Sequence, residues 1–219
     1  MKHALSILLV ALGCFACAEP ESSWQPLFAD DLSNADFPEG VWTQQDGILT
    51  ASQDKNIWTR ADYGNFVLDL EFKTGEGSNS GVLILCSDVK RWVLNTIEIQ
   101  ITDDHSPRWA NADPATQCGA IFGHKAPTRS MVRKPGEWNR FTITSAGTRL
   151  TVVLNGETVL DLDRKDWKEA GQGPNGEVIQ KKFDKPLSQF ADSGKIGFQG
   201  KHGGVPIYFR NIRIRPVTD

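Results

Sequence analysis

The spacing of apolar residues is the feature of this sequence that most constrains its fold. Apolar side chains recur at every second position over short stretches rich in Val, Ile, Phe and Thr, and Gly, Pro, Asn or Asp separates these stretches. This alternation is typical of β-strands, and no segment shows the apolar period of a long helix. Ten strands are predicted: Ile48–Ser52, Asn65–Lys73, Gly81–Cys86, Thr96–Thr102, Gly119–Phe122, Asn139–Ala146, Arg149–Leu154, Glu157–Asp161, Lys195–Gln199 and Val205–Arg215.

Two tight turns connect three of these strands. One turn contains Gly147, and the other is the dipeptide Asn155-Gly156, which is strongly preferred in two-residue hairpin turns. Together they predict a three-strand meander. About ten strands without βαβ spacing predict an all-β fold of two packed antiparallel sheets, a sandwich or jelly roll.

The first 17 residues have the pattern of a secretory signal peptide. Lys2 precedes an apolar run over residues 4–16, which is too short for a permanent membrane helix. Two processing routes are open: a lipoprotein-type site at Cys14 or Cys17, and ordinary cleavage before Glu19. We favour lipidation, because residues 18–23 form a polar, Pro-containing tether. The prediction is an exported protein, periplasmic or anchored to the outer membrane of a bacterium, with one domain over residues 24–219.

Charge and cysteine content narrow the function further. The net charge is −3 and no long basic run occurs, so nothing in the sequence indicates nucleic-acid binding. After the signal peptide only Cys86 and Cys118 remain. A pair of cysteines in an oxidising compartment is compatible with a disulfide, and free cysteines are also commonly buried. Both interpretations stay open from the sequence.

Polar residues that could bind or convert a substrate follow two of the predicted strands. In residues 96–102 the three Ile side chains alternate with Glu98 and Gln100, which therefore share the opposite face. That face is either solvated or the floor of a cleft, and the polar residues that follow favour the cleft. The strand that ends at Gln199 has the same arrangement, so the two strands are predicted to build one polar basin. The further candidates are Asp103, His105, Lys201 and His202.

Two long loops, residues 103–117 and 163–193, interrupt the strand pattern. Each contains one tryptophan, Trp109 and Trp167, and Trp rings can provide flat surfaces for sugars. Each loop is therefore predicted either as a wall of the site or as a segment that its Trp pins to the core. The pair Lys181-Lys182 is interpreted as solvent-exposed loop charge.

Seven short motifs stand in order along the chain: Gly75-Glu76-Gly77-Ser78-Asn79-Ser80-Gly81-Val82, Ile97-Glu98-Ile99-Gln100-Ile101, Cys118-Gly119-Ala120-Ile121-Phe122-Gly123, Pro135-Gly136-Glu137-Trp138-Asn139, Leu154-Asn155-Gly156, Gly197-Phe198-Gln199 and Phe209-Arg210-Asn211-Ile212. In order and spacing these motifs resemble those of the 3-keto-disaccharide hydrolase family, and the resemblance covers residues 24–216. Two family positions differ here: Leu85 replaces a frequent Arg, and Phe122 replaces a Tyr.

The resemblance implies a concanavalin A-like lectin/glucanase jelly roll and a hydrolase acting on glycosides oxidised to a ketone at sugar carbon 3. It also implies a bacterial carbohydrate-degrading pathway in which a sugar 3-oxidoreductase makes the ketone. A single carboxylate, Glu98, next to the amide Gln100 is poor equipment for ordinary glycosidase chemistry. It suits abstraction of the acidic C2 proton, elimination at C1 and addition of water. His105 could donate to the leaving oxygen, with His202 as an alternative acid.

The remaining roles and alternatives follow from the same residues. Gln100, Gln199 or Lys201 could hydrogen-bond the enolate. Glu98, Asp103, Asp104 and the histidines could bind a divalent metal ion. No standard metal-binding motif occurs in the sequence, so the presence of a metal stays open. A non-catalytic carbohydrate-binding module is the alternative function, and an ordinary glycosidase or lectin is a third.

Overall fold

The structure, a computed structural model, describes residues 24–217, so the predicted signal peptide and tether lie outside the described residues and stay predictions. Two helices of four residues occur, α1 (Trp92–Asn95) and α2 (Pro107–Ala110), and no described helix is long and apolar enough to cross a membrane. The strands are β1 Gln25–Pro26, β2 Ala35–Asp36, β3 Trp42–Gln45, β4 Ile48–Ala51, β5 Ile57–Thr59, β6 Phe66–Thr74, β7 Asn79–Cys86, β8 Ile97–Thr102, β9 Trp138–Ala146, β10 Arg149–Leu154, β11 Glu157–Asp163, β12 Lys195–Phe198 and β13 Ile207–Pro216.

The strands form two antiparallel sheets that pack face to face. The larger sheet has the order β11-β10-β9-β6-β13-β4-β3, and β1 pairs with β13 as well. The smaller sheet has the order β2-β5-β12-β7-β8. The predicted all-β sandwich of two antiparallel sheets is therefore confirmed, including the meander β9-β10-β11 around the two predicted turns.

The core lies between the sheets and is built from alternate residues of each strand. Ile97, Ile99 and Ile101 of β8 are all buried, as the alternation predicted. Phe198 of the smaller sheet stacks on Phe209 of the larger one, with ring centroids 4.5 Å apart. Burial of each such side chain contributes about 1.5–3 kcal/mol. Outward-facing residues of the smaller sheet are thereby left free to form a site.

The differences from the predicted strands concern short or strongly turned segments. Residues 119–122 do not form a strand: Ile121 makes only isolated bridges, to Ile99 and Lys125. The segment turns at both ends because Gly119 and Gly123 adopt positive φ, 90° and 69°. Strands β1, β2 and β5 were not predicted, since two or three residues are too few to show alternation; the four-residue strand β3 was missed as well, although β4 and β12, of the same length, were predicted.

The two cysteines are free and buried, so the structure contains no disulfide between them. Cys118 lies in the core between the sheets, whereas Cys86 packs with Trp58 and Leu83 on the outer face of the smaller sheet. Burial raises the pKa of the Cys86 thiol to about 11, which keeps it protonated and unreactive at neutral pH.

Trp167 pins the loop of residues 163–193 to the core, and Lys182 of the same loop lines a cleft on the smaller sheet. Trp167 is 2% exposed and belongs to the core cluster. The fully buried Arg164 donates hydrogen bonds to the Phe190 carbonyl, at 3.2 Å, and to the Asp192 carboxylate, at 2.7 Å. Of the two interpretations of Trp167, the structural one therefore holds.

Candidate active site

A cleft of about 640 Å³ lies on the outer face of the smaller sheet. It brings together four of the eight predicted site residues, Glu98, Gln100, Gln199 and His202. The remaining lining residues come from β2, β5, β7, the segment around α1 and four loops: Asp36, Phe37, Pro38, Asp54, Lys55, Asn56, Trp58, Asn79, Val89, Trp92, Val93, Phe122 and Lys182.

Strand register arranges the floor of the cleft in two rows. Leu83 of β7 lies opposite both Glu98 and Gly197, and Gly197 lies opposite Trp58. We call this line of Glu98, Leu83, Gly197 and Trp58 the Glu98 row.

The second row lies nearer the start of β7. Gly81 is paired with Gln100, and the Gly81 carbonyl accepts a hydrogen bond from the backbone N–H of Gln199 at 3.0 Å. We call the line of Gln100, Gly81 and Gln199 the amide row. It is polar, and the Glu98 row is mainly apolar.

Glycines in both rows make room for the larger side chains. A Cβ at Gly81 would overlap the Glu98 carboxyl group, and a Cβ at Gly197 would overlap the Trp58 ring. The Glu98 side chain therefore lies across the backbone of β7, toward the middle of the sheet, and the Trp58 ring covers β12.

Glu98 is the carboxyl group whose protonation the site perturbs most. Only part of its surface is exposed, and burial raises its pKa to about 8, whereas the positive charge of Lys182 acts in the opposite direction. Glu98 is therefore mostly protonated at neutral pH and becomes a carboxylate as the pH rises through about 8. The other carboxyl groups lining the cleft are paired: Asp36 with Arg60 at 2.9 Å and Asp54 with His202 at 2.7 Å.

Lys182 is a cleft residue that the sequence did not identify. It is exposed, as predicted, but its Nζ lies 4.0 Å from the centroid of the Phe122 ring beside Glu98. Burial lowers the pKa of Lys182, and the Glu98 charge opposes that shift. The loop that carries Lys182 is far from Glu98 along the chain, so no local pattern signals their proximity.

Gln100 presents an acceptor that has no partner. The side chain is 1% exposed, and its Nε2 donates to Asn79 Oδ1 at 3.0 Å. Its Oε1 makes no hydrogen bond within the described residues. Since buried polar atoms are usually paired, this oxygen is suited to accept a hydrogen bond from a ligand hydroxyl.

His202 and Asp54 form a pair at the rim near the start of β7. The Nδ1 of His202 lies 2.7 Å from Asp54 Oδ2, and His202 also forms a bridge with Asn79. An ionised carboxylate only accepts hydrogen bonds, so Nδ1 carries the proton of this contact. The Nε2 of His202 is thereby left for a ligand. Asp54 also lines the cleft, and the sequence analysis did not identify it as a site residue.

His105 and Asp103 do not line the cleft. His105 is exposed, and its Nε2 lies 3.0 Å from the Val132 carbonyl oxygen. Asp103 is buried and accepts hydrogen bonds from the backbone N–H groups of Gly77, at 2.8 Å, and His105, at 3.2 Å. Both side chains turn to the neighbouring loops, because the chain leaves the strand direction directly after Thr102.

Trp109 and Lys201 also lie outside the cleft lining. The indole N–H of Trp109 donates to the Gly77 carbonyl at 3.2 Å, and the Arg108 guanidinium lies 4.6 Å from the centre of its ring. This contact fastens the loop of residues 103–117 to the turn before β7. Lys201 is partly exposed next to the cleft residue His202.

The carboxylates and histidines considered as metal ligands are dispersed. Asp104 accepts hydrogen bonds from the Thr102 hydroxyl and from the Cys118 backbone N–H. His124 is buried, which lowers its pKa to about 4, and its Nδ1 lies 2.9 Å from the Phe122 carbonyl. Within residues 24–217 no three His, Cys, Asp or Glu side chains converge on a position for an ion. Glu98, Asp103, Asp104 and the histidines therefore do not form a shared metal site in the described part of the chain.

The two positions that differ from the family pattern have different environments. Phe122 lines the cleft, and its ring lies under the Lys182 ammonium group, as described above. Leu85 is buried in the core with a positive φ of 55°, at an irregularity in the pairing of β7 with β12.

Comparisons with known proteins agree with this architecture. A 3-keto-disaccharide hydrolase of Bacteroides thetaiotaomicron is 26% identical over 172 residues, which cover 70% of this chain and 59% of that protein. The match thus spans less than two thirds of that relative. The crystal structure of a "putative glycosyl hydrolase" from Parabacteroides distasonis is 46% identical with a TM-score of 0.87, and the match covers 89% of this chain and 99% of that one.

More distant similarity supports the fold. The carbohydrate-binding module CBM66 of Bacillus subtilis is 12% identical with a TM-score of 0.50, over 86% of this chain and 99% of that one.

The family model described as 3-keto-alpha-glucoside-1,2-lyase-like domain matches residues 23–215. This chain therefore belongs to the 3-keto-disaccharide hydrolase (3-keto-alpha-glucoside-1,2-lyase-like) family.

Proposed function

We propose that this protein is an enzyme that cleaves 3-keto-glycosides, with Glu98 as the base that removes the C2 proton. The observation that carries the proposal is the environment of Glu98: a partly buried carboxyl group in the cleft, outside any ion pair, with a pKa raised by burial to about 8. A base whose pKa lies near the working pH is efficient, and such assistance contributes about 10²–10⁴-fold to a rate.

The proposed reaction begins at the ketone. The Glu98 carboxylate takes the proton from C2, and the electron pair of that C–H bond forms an enolate with the oxygen on C3. The bond between C1 and the leaving oxygen then breaks, and this oxygen takes up a proton. Water adds to C1 of the resulting C1=C2 double bond and a proton returns to C2, which gives the free 3-keto sugar and the released alcohol.

The other cleft residues have roles that fit their hydrogen-bonding capacity. The side-chain amides of Asn79 and Gln199 can donate to the developing enolate, and donors aimed at such a charge lower the barrier strongly. Gln100 Oε1 accepts from a sugar hydroxyl. Lys182 is the donor for the leaving oxygen and replaces His105 in this role, because Lys182 lies beside Glu98 whereas His105 is hydrogen-bonded outside the cleft.

The chemistry of the substrate places the reaction in a sequence of steps. A ketone at C3 must be made from the parent sugar by an oxidoreductase, so the proposal keeps the predicted link to such an enzyme. Export, a lipid anchor and a bacterial periplasm stay predictions from residues 1–23.

The test compares a 3-keto-glucoside with its parent glucoside, both carrying the same chromogenic leaving group. We expect release of the chromophore from the keto form only, because the parent sugar has no acidic C2–H. In deuterium oxide the sugar product should carry deuterium at C2. Equal cleavage of both substrates, or product without this label, contradicts the elimination mechanism.

Glu98→Gln separates the enzyme from a binding module. The amide preserves the size of the side chain but is not a base, so turnover should fall by about 10²-fold or more, with affinity for the sugar within a few-fold. If the wild-type protein binds the keto sugar without cleaving it, the non-catalytic module is the better description.

A further inference from the structure

Exposed apolar side chains are concentrated at one end of the cleft. Within residues 24–217, three large hydrophobic residues are strongly exposed: Val89 at 38%, Val93 at 39% and Val178 at 83%. Val89 and Val93 both line the cleft, and Trp92 lies between them in sequence. Trp92 lines the cleft as well, so these three side chains form one apolar surface, which we call the valine rim.

The segment that carries the valine rim is ordered by its own hydrogen bonds. The Asp88 carboxylate accepts from the backbone N–H groups of Lys90, at 2.9 Å, and Arg91, at 3.4 Å. The Ser87 N–H donates to the Asn95 carbonyl at 3.0 Å, which closes the segment at its base. These hydrogen bonds hold the apolar side chains of the segment at the cleft, where their exposure to water is unfavourable.

The valine rim continues the apolar floor of the Glu98 row. Trp92 packs on Trp58, Leu83 and Cys86, which cover the outer face of the smaller sheet near the end of β7. The amide row and His202 lie toward the other end of the same strand, where Asn79 bridges to His202. The cleft thus changes from polar to apolar along β7.

Glu98 stands at the boundary between these two halves. Val93 reaches the same small cavity of about 10 Å³ as Glu98 and Phe122, so the valine rim begins beside the base. If the sugar that carries the C2 proton occupies the amide row, the group attached to C1 extends past Glu98 toward the valine rim.

We propose that Val89, Trp92 and Val93 form a subsite for an apolar, ring-containing aglycone, so that the preferred substrates are 3-keto-glycosides of hydrophobic alcohols. This inference rests on the proposed function of the same cleft. A second sugar would bring hydroxyl groups against the valine methyl groups, where they lose hydrogen bonds to water and find no partner. An aromatic or aliphatic ring instead buries the exposed apolar surface.

The experiment uses two 3-keto-glucosides whose leaving groups are primary alcohols, 2-phenylethanol and 2-methoxyethanol. The phenylethyl substrate should have a kcat/KM about tenfold higher, mainly through a lower KM, as expected for a few apolar contacts. A 3-keto-disaccharide should resemble the methoxyethyl substrate. Equal kcat/KM values for all three, or preference for the disaccharide, overturn the inference.

Variants locate the preference at the valine rim. In the double variant Val89→Ser/Val93→Ser the ratio of kcat/KM between the phenylethyl and methoxyethyl substrates should fall toward one. Val178→Ser is the matched control, because Val178 is exposed but does not line the cleft. It should keep the wild-type ratio, and a double variant that also keeps it contradicts the assignment.

Binding measurements keep this inference separate from the proposed function. Calorimetry with the Glu98→Gln protein needs no turnover, and it should give about tenfold tighter binding of the phenylethyl than of the methoxyethyl compound. If neither compound is cleaved by the wild-type protein but this difference in affinity is present, the catalytic proposal fails and the apolar subsite stands. Equal affinities remove the subsite, whatever the catalytic result.

Discussion

At the scale of single residues, the ionisation of the proposed base Glu98 depends mainly on its burial and, to a smaller extent, on the charge of Lys182. Burial raises the pKa of Glu98 to about 8, and the Lys182 charge limits this rise. Since the base Glu98 must be ionised and the donor Lys182 protonated, kcat/KM for a 3-keto-glucoside should increase with pH through about 8 and fall again at higher pH, where Lys182 loses its proton. In Lys182→Met the burial effect is unopposed, so the rising limb of the pH–rate profile should move to higher pH.

Two variants control this pH measurement. Lys182→Arg keeps the positive charge and should leave the limb near its wild-type position. Lys181→Met removes an exposed neighbour that does not line the cleft, and its profile should match that of the wild type. If Lys182→Met lowers the rate without moving the limb, Lys182 does not act on the ionisation of Glu98.

The sequence predicted those site residues that depend on local strand geometry. Glu98 and Gln100 face outward because side chains alternate along any strand, and the buried Ile97, Ile99 and Ile101 define the other face. His105 follows the same strand, but its orientation depends on a turn and on the Val132 carbonyl, which local alternation does not encode. Residues such as Lys182 reach the cleft from distant loops, and only the folded chain brings them there.

At the scale of elements, the pairing of β7 with β8 determines where the Glu98 carboxyl group lies. Gly81 allows this side chain to cross β7, and a Cβ there would overlap its carboxyl group. In Gly81→Ala the flexible Glu98 side chain must move, so kcat for a 3-keto-glucoside should fall by about tenfold or more. The unfolding free energy in urea should change by only about 1 kcal/mol, since a side chain rather than backbone gives way.

Gly197→Ala is the contrasting variant in the same sheet. The Cβ of the introduced alanine would overlap both the Trp58 ring and the Ile57 carbonyl oxygen. This oxygen belongs to the backbone, so it cannot move away by a change of side-chain rotamer. This change should cost clearly more stability than Gly81→Ala, within the range of about 1–3 kcal/mol that is typical of overpacking. A Gly81→Ala protein with wild-type kcat shows that the position of Glu98 across β7 is not needed for catalysis.

The prediction was accurate for the long strands and for the four-residue strands β4 and β12, and it missed β1, β2, β3 and β5. Strand β9 (Trp138–Ala146) was predicted within one residue of each bound, because nine alternating residues carry a clear pattern. Strand β5 was missed because all three of its residues are buried, which removes the alternation. The interpretation of residues 119–122 as a strand was wrong, since apolar residues between two turning glycines show the same composition as a short strand.

At the scale of the whole molecule, the two sheets have separate roles. The smaller sheet carries the cleft on its outer face, whereas the outer face of the larger sheet carries a network of charges around Asp69. The sandwich was predictable from strand number and turns, and the family from motifs along the whole chain. The division of roles between the sheets could not be predicted, because it depends on which strands become neighbours, such as β6 and β13, which lie far apart along the chain.

Asp69 provides a test of this division. Arg140 donates two hydrogen bonds to its carboxylate, at 2.9 and 3.0 Å, Thr142 donates one at 2.9 Å and Arg213 one at 3.1 Å. Burial alone would raise the pKa of Asp69, but these donors outweigh it and lower the pKa. Asp69→Asn should therefore reduce the unfolding free energy at pH 7 by about 1–3 kcal/mol. The kcat/KM for a 3-keto-glucoside should stay unchanged, because the cleft is on the other sheet.

The pH dependence of the Asp69→Asn effect follows from the sign of the shift. A carboxyl group with a lowered pKa in the folded state stabilises the protein above its unfolded pKa of about 3.9, and this contribution disappears as the pH falls through the folded pKa. Urea titrations should thus show a smaller difference between Asp69→Asn and wild type at pH 3 than at pH 7.

Asp161→Asn, which removes an exposed partner of Arg149 on the same sheet, should cost only about 0.2–1 kcal/mol. Equal losses for Asp69→Asn at both pH values would contradict a stabilising role of the ionised carboxylate, and a fall in kcat/KM would show that the two outer faces are coupled.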